Sequence, residues 1–175
     1  MKAIETNRLI LRKPRKCDYK GLFSVLNDSA LQTYIPTLYC ETIDDVKEWI
    51  FFSTKYFSWP MDFALVIQEA QSQEIVGLLY AYSFDFKKLS LSYAIKPSKR
   101  RNGYMVETLK RFVKFLHKNN SIEEILFSIR NDNFSSISVM KKLCINQTAV
   151  SGNYLKYSLS LQDKLPFWGS LSCFA

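Results

Sequence analysis

The sequence predicts an α/β (α+β) fold, a mixed and mostly antiparallel central sheet flanked by helices, in one domain spanning residues 1–175. Three observations predict it. The hydrophobic periodicities run strand, two helices, three strands, helix, strand, helix and closing strands, an order that lays helices over a sheet. Between Phe63 to Ile67 and Ile75 to Tyr82 the residues Gln71, Ser72 and Gln73 turn the chain, so the second run returns as an antiparallel neighbour of the first. At 175 residues and 47% hydrophobic content the chain is long enough for one well-buried core and short for two.

Each element follows from local chemistry. Leu9 and Leu11 alternate with water-facing residues in a first strand that Pro14 ends. Asp18 is read as the cap of a helix whose Tyr19, Leu22, Phe23 and Leu26 share a face, and Asn27, Asp28 and Ser29 close it. A loop is expected through Pro36. Thr42 and Asp45 make a capping pair for a second helix with Val46, Trp49, Ile50 and Ser53 on one side, stopping before Pro60. Phe63 to Ile67 is continuously apolar, as in a strand covered on both faces. Leu89, Leu91, Tyr93 and Ile95 alternate with Ser90, Ser92 and Ala94 in the next strand, and Ile125, Phe127 and Ile129 alternate in a later one. A last helix carries Ile137, Met140 and Leu143 on one face. Two hairpin strands, near Gln147 to Val150 and Tyr154 to Leu161, turn around Gly152-Asn153.

Lys and Arg number 24 against 16 Asp and Glu, and the balance of +8 favours an acidic partner: a phosphorylated cofactor, nucleic acid or an acidic surface. Cys17, Cys40, Cys144 and Cys173 lie far apart with no CxxC pair, and one histidine cannot complete a zinc site, so no metal is expected and reduced thiols in a cytoplasmic protein are. The opening MKAIETNRLILRKPRK breaks its brief apolar run with charge, unlike a signal peptide, and Ile75 to Tyr82 is too short to span a bilayer; no membrane partner is expected.

The stretch from Leu89 to Leu116 organises the rest. A strand passes through a basic loop with one glycine into a helix whose Met105, Leu109, Phe112, Val113 and Leu116 form one stripe. The first N–H groups of that helix have no partner within it, and a diphosphate can supply one.

Tyr93-Ala94-Ile95-Lys96-Pro97 followed by Arg100-Arg101-Asn102-Gly103-Tyr104 resembles the GNAT superfamily of acyl-CoA-dependent N-acyltransferases, and within it the ribosomal-protein N-terminal acetyltransferase branch. Asn7 to Arg12, the Gly77 strand and the run Asn133-Phe134-Ser135-Ser136 extend the resemblance over nearly the whole chain. It implies a GNAT-like sheet with splayed strands, acetyl-CoA (coenzyme A) as cofactor, and transfer of an acetyl group to a primary amine by direct attack. The family's loop reads Gln or Arg, two free positions, Gly, one free position, then Gly or Ala. Arg100 and Gly103 match, and Met105 departs, with its side chain expected to turn toward the sheet. The resemblance assigns cofactor binding to Ala94, Ile95, Arg100, Arg101, Asn102, Gly103, Tyr104, Met105, Val106, Asn133 and Ser136. Asn133 and Ser136 are also ordinary helix-start residues. The family's Gly-Phe after this helix is replaced by Cys144-Ile145, and a turn of a different kind is expected there, because a left-handed non-glycine residue costs about 1–2 kcal/mol.

Acyl transfer from a thioester to an amine needs an uncharged amine, donors for the developing oxyanion and a proton for the leaving thiolate. Backbone N–H groups around Ala94 and Ile95 are the expected donors. Ser136 is the first candidate for the proton and Tyr93 the second catalytic candidate, with Tyr104 a weaker one; ten tyrosines make packing the default for any one of them. No carboxylate lies on Lys88 to Ser92, where relatives carry a base. Glu74, Asp85 and Glu107 read as solvated charges, and His117 as a complement to its helix C-terminus. Near neutrality an α-amine has an uncharged fraction about two orders of magnitude above that of lysine, which favours a peptide N-terminus or a small-molecule amine as partner. Two other readings stay open: an acyl-CoA-binding regulatory protein without turnover, and a nucleic-acid-binding module built on Lys96 to Arg101, with nucleic acid not expected as the main partner. The apolar tail 165–175, with Phe167, Trp168 and Phe174, is expected to pack on its own domain; a homodimer contact or a flap over the acceptor site are the alternatives.

Overall fold

The computed structural model describes residues 2–56, 62–85, 87–119 and 122–162, so the expectation for the tail lies outside the described residues. Eight strands form one sheet: β1 (Ile4–Glu5), β2 (Leu9–Arg12), β3 (Phe63–Glu69), β4 (Ile75–Asp85), β5 (Lys88–Ile95), β6 (Glu124–Arg130), β7 (Gln147–Ser151) and β8 (Tyr154–Ser160). Their order is β1-β2-β3-β4-β5-β6-β8-β7. Every adjacent pair is antiparallel except β5 and β6, so the mixed, mostly antiparallel expectation holds. The short β1 was not foreseen, since two residues carry no periodicity.

Helices cover both faces. One face packs α4 (Tyr104–Asn119) and α5 (Phe134–Lys142) over Leu65, Leu79, Leu91 and Phe127. The stripe Met105, Leu109, Phe112, Val113 and Leu116 is buried throughout, about 1.5–3 kcal/mol of transfer free energy for each large side chain. The opposite face packs α1 (Tyr19–Leu26), α2 (Ser29–Tyr34) and α3 (Ile43–Lys55) over Ala64, Val66, Leu78 and Ala94. Every residue from Phe63 to Gln68 is buried because both layers press on β3. At α3 the capping box is formed: Asp45 N–H donates to the Thr42 hydroxyl at 3.1 Å, and Thr42 N–H to the Asp45 carboxylate at 2.8 Å.

Three local expectations are corrected. Asp18 does not cap α1 with its side chain. Its carboxylate takes two bonds from the buried Arg12 guanidinium, at 2.7 and 2.8 Å, and one from Arg15 N–H. Burying Arg12 without a counter-charge costs more than an uncapped helix end. The loop expected before Pro36 contains α2, whose Asp28 cap accepts from Ala30 N–H. After α5, Cys144 takes the left-handed conformation with φ of 53°. Ile145 N–H reaches Met140 O at 3.1 Å and Cys144 N–H reaches Lys141 O at 3.0 Å. These are the paired bonds of a Schellman turn, closed by the buried Ile145 beside Met140, and they hold a non-glycine residue where glycine is usual.

Candidate active site

A cleft opens where the sheet loses a ladder. β5 and β6 pair only from Lys88 to Ser90 against Glu124 to Leu126. Beyond that point β5 continues to Ile95 and β6 to Arg130 with no register between them, while each keeps its other neighbour. The strands splay as expected, and on the facing edge of β5 the N–H groups of Tyr93 and Ile95 point away from β4, whereas Ala94, expected as a donor, directs its backbone groups to Leu78 on β4. Gly77 sets the approach of β4 to β5, because a Cβ there would lie 2.5 Å from the Ala94 carbonyl oxygen.

The loop at the head of the cleft has a backbone geometry suited to an anion. Arg101 and Gly103 have φ of 65° and 76°, and the first bond of α4 runs from Glu107 N–H to Gly103 O at 3.0 Å. The six N–H groups from Arg101 to Val106 meet no acceptor among the described residues. Alternating left-handed residues ahead of a helix start turn consecutive N–H groups into one concavity, with the helix dipole adding to it. Gly103 is needed there for its backbone angle, since a Cβ would meet only Arg8 Nη2 at 3.7 Å.

The side chains of this loop are occupied elsewhere. Met105 and Val106 point into the core, which leaves the cradle clear at the position where the family pattern has a small residue. Arg100 donates to Ile95 O at 3.2 Å and pairs with Asp28, so its guanidinium does not face the cradle. Asn102 donates its amide to Lys99 O and Arg100 O. Lys96 pairs with Glu74 at 2.7 Å, and Lys99 with Glu69 and Glu74 at 3.1 and 2.8 Å. Most of the basic run that suggested nucleic acid is thus matched internally, and Arg101 remains exposed. Tyr104 donates its hydroxyl to Glu69, which commits the weaker proton-donor candidate to bracing the loop.

The brace on the other side was missed. Arg8 donates to Asn102 O at 3.1 Å, pairs with Glu107 at 2.6 Å and lies 4.7 Å from the Tyr104 ring centroid. Burial opposes ionisation of Glu107, but Thr6 and Arg8 outweigh it and hold the carboxyl below its usual range. Next to Gly103 a cavity of about 470 Å³ is walled by Arg8, Lys110, Lys114 and Lys142. The cations of α4 alternate with its apolar stripe, a signal the sequence carried.

Deeper in the cleft, a cavity of about 710 Å³ brings Tyr93, Asn133 and Ser136 together. The Tyr93 hydroxyl is buried beside the Ser136 hydroxyl and makes no well-formed hydrogen bond to a described residue. Burial pushes its phenol well above the usual range, with the neighbouring Ser136 hydroxyl acting in the opposite sense. Asn133 Oδ1 accepts from Ser136 N–H at 3.2 Å, so it caps α5 and orients Ser136, while its amide nitrogen makes no bond to another described residue. The far wall comes from Tyr34 on α2, Tyr80 and Tyr82 on β4, and Asp62, none of which the sequence pointed to. The carboxylates weighed as bases lie elsewhere: Glu74 and Glu107 are in the ion pairs above, and Asp85 accepts from Lys87 N–H. His117 Nδ1 lies 2.8 Å from Leu161 O and ties the end of α4 to the end of β8.

Residues 8–144 match the family described as the acetyltransferase (GNAT) domain. The uncharacterized N-acetyltransferase YoaA of Bacillus subtilis (strain 168) is 21% identical over 154 residues, covering 87% of each chain. An acetyltransferase (GNAT family) from Bacillus anthracis superposes with a TM-score of 0.79 at 18% identity, over 93% of this chain and 100% of its own. RimL, a ribosomal alpha-N-protein acetyltransferase in complex with coenzyme A, superposes with a TM-score of 0.78 at 15% identity, over 91% of this chain and 98% of its own.

Proposed function

Because the chain belongs to the GNAT acetyltransferase family, and so transfers an acetyl group from acetyl-CoA to an amine, we propose that the α-amine of a peptide or protein is its acceptor, with catalysis in the cavity of Tyr93 and Ser136. The carrying observation is the alignment of the two features along one cleft. Six free N–H groups from Arg101 to Val106 fit a diphosphate at its head, and an unpartnered hydroxyl lies where the splayed strands lead. When bound, acetyl-CoA supplies the acetyl group as a thioester.

The chain's own residues do the rest. Asn133 turns its free amide toward the cleft and fixes Ser136. Ser136 Oγ, or the Tyr93 hydroxyl beside it, would hold a proton for the thiolate leaving group; a phenol kept protonated by burial is suited to donate. The N–H groups of Tyr93 and Ile95, on the edge of β5 that turns away from β4, would donate to the acyl carbonyl oxygen of the bound cofactor. Lys114 and Lys142, beside Gly103, suit the phosphorylated nucleoside end. The peptide acceptor is supported by the ribosomal-protein enzyme that shares the fold and by a cavity lined from α2, β4 and β6. Among the described residues no helix is long and apolar enough to cross a membrane, in keeping with a cytoplasmic site of action.

Incubation with acetyl-CoA and a panel of N-terminal peptides, polyamines and amino compounds tests this reading. Release of free CoA with peptides above the other amines is expected. Absence of CoA binding at millimolar concentration overturns the cofactor site, and turnover confined to polyamines overturns the peptide acceptor.

A further inference from the structure

Among the described residues, the acceptor half of the cavity holds one carboxylate without a hydrogen-bond or ion-pair partner. Asp62 stands just before β3 and lines the cavity with Tyr34, Tyr80 and Tyr82. Phe63 pairs with Ala81, and Ala81 with Leu91, so Asp62 faces the cavity from across β4. No hydrogen bond or ion pair joins it to another described residue. Its charge is nevertheless felt: the Tyr80 phenol is raised above its usual range by burial first and by Asp62 second.

The other charges on the wall are matched. Arg130 donates to both oxygens of Asp132, at 3.0 and 2.5 Å, and lies 5.3 Å from the Tyr34 ring centroid. What is left for a ligand is a single negative charge beside the stacked rings of Tyr80 and Tyr82, whose centroids are 5.7 Å apart at 27°. A half-buried carboxylate without a counter-ion is costly in the free protein, and a cation returns that cost. The aromatic faces add attraction for the same sign of charge. A neutral or anionic ligand gains neither.

Resting on the acyltransferase reading above, we propose that Asp62, flanked by Tyr80 and Tyr82, determines acceptor specificity by receiving the acceptor as a cation, its ammonium group bonded to the carboxylate on entry and losing a proton to solvent before the amine attacks. The carboxylate that β5 lacks is thereby replaced, for recognition, by one at the mouth of β3. Amines that are uncharged near neutral pH bind without this contact.

Two acceptors of one shape test it: a β-alanyl dipeptide amide and its aminooxyacetyl counterpart, in which oxygen replaces the methylene next to the terminal nitrogen and removes the positive charge near pH 7. Asp62→Asn is expected to raise KM for the β-alanyl acceptor by about 10- to 100-fold. It should leave KM for the aminooxy acceptor and the calorimetric Kd for CoA unchanged, and Asp62→Glu should restore part of the preference. Equal effects on both acceptors, or none on either, overturn the role of Asp62 while the transferase reading stands. A wild-type protein that acetylates neither probe overturns the role of Asp62, while the α-amine acceptor, which neither probe carries, is decided by the panel of N-terminal peptides.

Discussion

Tyr93 and Cys144 each hold an unfavourable local arrangement, and the two have different meanings. A buried hydroxyl without a partner lowers stability, so Tyr93→Phe should leave the unfolding midpoint unchanged or raise it. If the hydroxyl serves the reaction, kcat falls in the same variant. Ser136→Ala should lower kcat by about 100-fold or more at unchanged CoA affinity, measured as CoA release. Cys144 supports no such split. Its φ of 53° closes a Schellman turn that glycine closes more cheaply, so Cys144→Gly should gain up to about 1 kcal/mol in denaturant titration with the slope unchanged. The sequence showed the missing glycine but not the outcome. The pull of Ile145 into the core keeps the turn, and that pull is a tertiary effect.

At the scale of elements, legibility followed periodicity. The α4 stripe, the α3 capping box and the alternation in β5 and β6 were readable because each is local. The short α2 and β1 were not: α2 is held in part from far along the chain, where Arg130 donates to Thr33 O, and β1 is too short to carry a periodicity. Asp18 is the clearest case of a capping rule overruled by the need to match a buried charge. It reads as a helix cap, yet Arg12 on β2 claims it, and Gln68 on β3 takes the remaining Nε donor at 2.7 Å. Both charges are buried, so Asp18→Ala leaves the guanidinium without its counter-ion and should cost about 3–5 kcal/mol by chemical denaturation. Replacing the pair together by apolar residues of similar volume should cost far less. The site followed the same division. Its loop is contiguous and was readable, whereas Asp62, Tyr34 and Arg8 reach it only through the fold.

Across the whole molecule, carboxylates link strands to the loop, and this sets the response to acid. Glu69 is lowered to about 2, first by the Ser72 hydroxyl, then by Tyr104 and Lys99 against the effect of burial. Glu74 and Glu124 are lowered too, by Lys96 and by Ser158 respectively. A carboxyl whose folded pKa lies below its unfolded value contributes stability that is present above the unfolded value and is lost as pH falls through the folded one. The melting temperature should therefore hold down to about pH 4.5 and fall steadily toward pH 2. Glu69→Gln should flatten that fall, because this pair joins β3 to Lys99 and Tyr104 of the loop.

The N–H groups from Arg101 to Val106 are proposed to receive the diphosphate of the cofactor. Calorimetric titration of CoA into wild-type protein and Gly103→Glu, with circular dichroism to confirm the fold, addresses this most directly. A carboxylate in the cradle repels the phosphates, and the account predicts that CoA binding is lost while the spectrum is retained. CoA affinity equal to wild type in the folded variant would contradict it.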